Sequence, residues 1–144
     1  MDLKGAIIAD GGGKILIVEH DPVFGSTMAA SLAPLGHTCL VVSDPMVALR
    51  YIRDFCPDVV LMDTHFPLPQ DHASGVEWRE FLLLNVLQCN QPAGMRFIVI
   101  SKDLSPVARD QALAAGASDF LCKPLDFSRL VRGIQSVLSK ALVL

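Results

Sequence analysis

No long apolar run, no block of basic residues and no closely spaced cysteine pair occurs in these 144 residues. Each absence removes a class of function. The longest apolar runs are strand-length, far short of the roughly 20 residues that a membrane-spanning helix needs. Met1-Asp2-Leu3-Lys4 also lacks the layout of a signal peptide, so a cytoplasmic protein with no membrane association is expected. Twelve Lys and Arg stand against 15 Asp and Glu, for a net charge of -3. Without a basic face there is no electrostatic footprint for a phosphate backbone, and direct nucleic-acid binding by this chain is not expected. Cys39, Cys56, Cys89 and Cys122 are unevenly spaced with no Cys-x-x-Cys, which favours reduced, mostly buried thiols over zinc ligands or disulfides. Gly13-Lys14 is not a phosphate-binding loop, because no Ser or Thr follows and the glycines precede a strand where they should follow one.

What remains is apolar and regularly punctuated. The hydrophobic content is 51%, ample for one core, and the length fits one domain. Ala6-Ile7-Ile8-Ala9 and the following Asp10-Gly11-Gly12-Gly13 read as a flexible leader over residues 1–13. From there short apolar runs alternate with helical patterns. The strands are Lys14 to Glu19, Thr38 to Val42, the run ending at Asp63, Arg96 to Ser101, and Asp119 to Cys122. Asp21-Pro22, Asp44-Pro45 and Ser105-Pro106 each set an N-cap residue before a proline suited to the first helical turn. The first helix should run to about Leu35, stopped by Gly36, and the fourth should end at Gly116. A third helix is expected over about Gly75 to Leu87, after an unusually long loop from Phe66 to Ser74, and a fifth after Asp126. The fold class is therefore α/β, a doubly wound five-stranded parallel sheet with helices on both faces. The domain is expected over 14–140, with 141–144 as a tail.

The strand ends carry the chemistry. Glu19-His20-Asp21, Asp63, Ser101-Lys102 and Lys123-Pro124 each follow an apolar run, and a parallel sheet gathers such residues at its carboxyl edge, where ligands bind. Taken alone, an acid such as Asp63 could equally cap the next helix. Converging carboxylates repel unless a cation compensates them, so Glu19, Asp21 and Asp63 imply Mg²⁺, the Lys123 ammonium, or both. With those present, Asp63 suits a nucleophile toward a phosphoryl group, with Lys123 and Ser101 neutralising the transferring oxygens.

Acids after strand one, Leu61-Met62-Asp63 before a Pro-containing loop, Ser101 ending strand four, and Phe120-Leu121-Cys122-Lys123-Pro124 occur in that order. In this combination the chain, from about Lys14 to Lys140, resembles the receiver domain of two-component response regulators. The resemblance implies a flavodoxin-like fold with strand order 2-1-3-4-5. It implies Asp63 as the residue phosphorylated by a sensor histidine kinase or a histidine phosphotransfer protein, and Lys123 as the lysine contacting the phosphoryl group. It implies a Mg²⁺ site of Glu19, Asp63 and the backbone carbonyl of His65, and a candidate cis bond at Lys123-Pro124. Ser101 and Phe120 match the family's switch positions, through which the face of helix four, strand five and helix five would signal to a downstream protein or output domain, or form a homodimer. The protein would then be a phosphoacceptor and not an enzyme.

The pattern breaks at one position. Receivers place two adjacent acids after strand one, and here the pair is Glu19-His20. Imidazole is a poor Mg²⁺ ligand and suits Zn, Ni, Cu or Fe. Weakened Mg²⁺ binding, replacement by Mn²⁺ or another ion, a pH-sensitive contact, and a pseudo-receiver that docks partners without phosphorylation all stay open. Lys102, where the family keeps a small residue, reads as a solvated lysine. A zinc site of His65, Asp71 and His72 lacks a fourth ligand. A phosphatase of the haloacid dehalogenase type would need an acid where His65 stands and room for a cap domain. The sequence leaves open a single-domain regulator or a piece of a larger regulator or hybrid kinase.

Overall fold

A computed structural model describes residues 12–63 and 94–142 of the chain. Five strands form one parallel sheet: β1 (Lys14–Val18), β2 (Thr38–Val42), β3 (Val59–Asp63), β4 (Arg96–Ser101) and β5 (Asp119–Cys122). Their spatial order is β2-β1-β3-β4-β5, as expected. Between them lie α1 (Pro22–Leu32), α2 (Pro45–Phe55), α3 (Pro106–Ala114) and, last, α4 (Phe127–Leu142). The helix expected over about 75–87, the loop 66–74, His65, His72, Cys89 and the leader up to residue 11 lie outside the described residues. The expected fourth and fifth helices are therefore α3 and α4, and α4 extends to Leu142, past the expected domain edge at Lys140.

Covering both faces of the sheet explains why its strands read as unbroken apolar runs. Alternate residues point opposite ways. Ile15, Ile17, Val59, Leu61, Ile98 and Ile100 pack with Met28 and Leu32 of α1 and with Leu130, Ile134 and Val137 of α4. Leu16, Val18, Val60, Met62, Phe97 and Val99 pack with Ala48 and Ile52 of α2 and Ala112 of α3. Each fully buried Ile or Leu contributes roughly 1.5–3 kcal/mol.

The punctuation works as its chemistry dictates. Asp21 caps α1 by accepting the Val23 and Phe24 N–H groups, Ser105 caps α3 by accepting the Ala108 N–H, and Asp126 accepts the Ser128 and Arg129 N–H groups at the start of α4. The first helix ends earlier than expected, at Leu32, and a 3-10 turn over Ala33–Leu35 follows. Pro34 is the cause, since it has no N–H for the carbonyl four residues back and its ring crowds that carbonyl. Gly36 then reverses the chain at φ 93°, a conformation that glycine adopts without penalty.

Candidate functional site at the carboxyl edge of the sheet

The register fixes which side chains meet. Val18 pairs with Met62 and Met62 with Val99, so Glu19 and Asp63, each one residue further on, emerge side by side at the carboxyl edge. Ser101 pairs with Cys122, and the Lys123 N–H donates to the Ser101 carbonyl at 2.8 Å, which sets Lys123 at the same edge. Glu19, Asp63 and Ser101 are all but fully buried.

Two carboxylates in so little water need compensation, and the structure supplies an ammonium. The Lys123 ammonium donates to Glu19 Oε1 and to Asp63 Oδ2, both at 2.9 Å. On the other side His20 Nδ1 lies 3.1 Å from Asp63 Oδ2 and 3.2 Å from Glu19 Oε2. The Asp21 N–H donates to Glu19 Oε2 at 2.9 Å, so the helix cap also orients the acid that precedes it. Burial pushes the Glu19 carboxyl above its usual range, the more so beside Asp63, although the Asp21 amide and Lys123 pull the other way. Burial alone would lower the Lys123 pKa, but its hydrogen bonds and charge pairing with Glu19 and Asp63 outweigh this and raise it.

Sequence reasoning missed the aromatic wall of this site. The Lys123 ammonium lies 4.8 Å from the centre of the Phe24 ring, within cation–π range, and Phe24 rests against Phe127 with ring centres 6.4 Å apart. The Ser101 hydroxyl accepts the Asp103 N–H at 3.0 Å, within the turn that leads to α3. The Lys123-Pro124 peptide bond is cis, as the resemblance implies. Phe120 is buried on β5 against the α2 and α3 side of the sheet. The backbone carbonyl of His65, the other expected ligand, lies outside the described residues.

The family model for the response regulator receiver domain matches residues 15–135. The chain belongs to the response regulator receiver domain family. Such receivers are signalling modules of two-component systems, and this one is 30% identical over 122 residues to an uncharacterised 76.5 kDa protein of Thiocystis violacea, covering 85% of this chain and 16% of that protein. It is 24% identical over 127 residues to the transcriptional regulatory protein BaeR of Escherichia coli, covering 88% of this chain and 48% of BaeR. It is 29% identical over 120 residues to the Escherichia coli regulator of RpoS, covering 83% of this chain and 33% of that protein. The receiver thus spans less than half the length of these relatives. Among solved structures, the Francisella response regulator 1452 receiver domain superposes with TM-score 0.74 at 21% identity, over 89% of this chain and 98% of that one. The chemotaxis response regulator CheY4 of Vibrio cholerae gives TM-score 0.70 at 22% identity, over 86% and 97%. No helix among the described residues is long and apolar enough to cross a membrane.

Receivers bind Mg²⁺ in an acidic pocket, and the corresponding donors here are Glu19, His20 and Asp63, with ligand atoms within 4.8 Å of one another. Mg²⁺ demands oxygen in a near-octahedral shell. The imidazole nitrogen at the second acid position does not fit that ion, whereas the set of two carboxylates and one imidazole suits a divalent ion of borderline softness.

Proposed function

We propose that this receiver accepts a phosphoryl group on Asp63 from the phosphohistidine of a sensor histidine kinase or a histidine phosphotransfer protein. The observation that carries the reading is the bridge of Lys123 between Glu19 and Asp63, 2.9 Å to each, at the buried carboxyl edge. In the transfer an Asp63 oxygen attacks phosphorus, the N–P bond to the partner's histidine breaks, and that nitrogen leaves with the electron pair. The product is an aspartyl phosphate. Lys123, already in contact with Asp63, would hold a transferring oxygen, and the Ser101 hydroxyl would leave the Asp103 amide to meet another. Phe120, inside the core beside α3, would report that movement through packing. The face of α3, β5 and α4 then signals to a downstream protein or output domain. Leu104, Val107 and Leu113 are exposed on or beside α3, and Arg129 of α4 is tied to Asp119 of β5 at 2.7 Å.

A second reading rests on His20. Its ring nitrogen lies against the Asp63 carboxylate, an arrangement that favours a domain docking partners without phosphorylation. Intact-mass measurement after incubation with acetyl phosphate, in Mg²⁺ and separately in Mn²⁺, separates the two. A gain of about 80 Da, one phosphoryl group, that is lost in Asp63→Asn is the expected result. A folded protein that gains nothing with either metal, nor with Co²⁺ in their place, would sink the phosphoacceptor reading in favour of constitutive docking.

A further inference from the structure

We infer that Glu19, His20 and Asp63 form a site selective for a borderline divalent transition ion, of the Zn²⁺ or Co²⁺ class, over Mg²⁺. His20 sets the choice. Three observations converge on this. The imidazole is not turned away to solvent: it is only 30% exposed, and Nδ1 faces both carboxylates at 3.1 and 3.2 Å. The carboxylates face it with Asp63 Oδ2 and Glu19 Oε2; Lys123 takes Glu19 Oε1 and shares Asp63 Oδ2, so the ammonium and the imidazole address different oxygens at Glu19 and the same one at Asp63. Finally, Glu19 is held in place by the Asp21 amide, which orients a ligand before any ion arrives, the kind of support that metal sites depend on.

The physical reason for selectivity is the donor atom. Replacing a carboxylate by neutral imidazole removes one negative charge, on which attraction to hard Mg²⁺ depends, and adds a nitrogen that Zn²⁺ and Co²⁺ bind well. Any site of this kind prefers later divalent ions to some degree. The distinguishing quantity is therefore how the ratio of affinities changes when His20 is replaced. The inference concerns binding alone and holds whether or not Asp63 is phosphorylated.

Co²⁺ serves as the probe, titrated into the purified full chain and followed by its visible d–d absorption, with Zn²⁺ and then millimolar Mg²⁺ as competitors. One Co²⁺ per chain, displaced by Zn²⁺ and resistant to Mg²⁺, is expected. In His20→Asp the ratio of Co²⁺ to Mg²⁺ affinity should fall by at least about tenfold, the scale on which changes around metal sites act. A ratio unchanged in His20→Asp overturns the inference, as does an intense sulfur-to-cobalt charge-transfer band, which would place the ion on a cysteine. Should His20→Asp fail to fold, the wild-type protein still decides. Co²⁺ must shift the imidazole proton resonances of a single histidine in the NMR spectrum, and that signal must vanish in His20→Asn. Resonances unmoved by saturating Co²⁺ exclude His20 as a ligand.

Discussion

His37 is buried, unlike His20, and it has a different use. Its Nδ1 accepts the Gly13 N–H at 2.9 Å, so its proton sits on Nε2, which is buried without a hydrogen-bond partner among the described residues. Burial pushes its pKa below the ordinary value. The folded state then binds fewer protons here than the unfolded chain, so the stability it contributes is complete above the unfolded pKa of about 6.5 and is lost as pH falls through that value toward the folded one. The unfolding free energy from urea titration should drop as pH falls below neutrality, by at most about 1.4 kcal/mol per pH unit for one proton. His37→Asn, which keeps an acceptor for Gly13, should flatten the dependence, and an unchanged slope in that variant would assign the acid loss to other groups. His37 carried no signal in the sequence, because nothing local shows that its partner is 24 residues away. The convergence of Glu19, Asp63 and Lys123 was legible, since an acid or lysine ending an apolar run can point only to the carboxyl edge of a parallel sheet. Phe24 was not, because its contact with Lys123 depends on helix phase and rotamer, which the residues Asp21-Pro22-Val23-Phe24 leave open.

At the scale of elements, the placement of α1 matters most, since it begins at the site and carries Asp21 and Phe24. A Cβ added at Gly25 would lie 2.6 Å from Val41 Cγ1 on β2, closer than carbon atoms approach, and Val41 has little rotamer freedom to yield. Two effects oppose each other in Gly25→Ala: helix propensity favours alanine by about 1 kcal/mol, while overpacking costs about 1–3 kcal/mol. The tightness of the contact makes overpacking win. Equilibrium denaturation should show net destabilisation in Gly25→Ala, with part of it recovered in Gly25→Ala combined with Val41→Ala. A single variant as stable as wild type would mean that α1 shifts freely on the sheet. The elements themselves were legible from punctuation. Asp21-Pro22, Asp44-Pro45 and Ser105-Pro106 each open a helix where cap and proline chemistry put it. The end of α1 lies earlier than Gly36 alone dictates, because Pro34 already forces the tighter turn. Strand β1 likewise closes at Val18 rather than Glu19, although the Glu19 N–H still bonds to the Val42 carbonyl at 3.0 Å.

For the molecule as a whole, the two-faced core stabilises while the carboxyl edge works against it. Two buried carboxylates share one ammonium, and the Asp63 charge is among the causes that raise the Glu19 pKa, a sign of repulsion that folding must overcome. Asp63→Asn removes one carboxylate charge and leaves Glu19 and Lys123 as a balanced pair. Lys123→Ala does the reverse, leaving both carboxylates without their common ammonium, and breaking a buried ion pair from one side costs about 3–5 kcal/mol. Urea unfolding at neutral pH should therefore find Asp63→Asn at least as stable as wild type, and Lys123→Ala destabilised on that scale. The asymmetry is the test. If Asp63→Asn lost as much stability as Lys123→Ala, the edge would be a well-balanced structural ion-pair network. If it holds or gains, the fold is carrying an excess of negative charge against its own stability, as expected where a site is kept poised for chemistry.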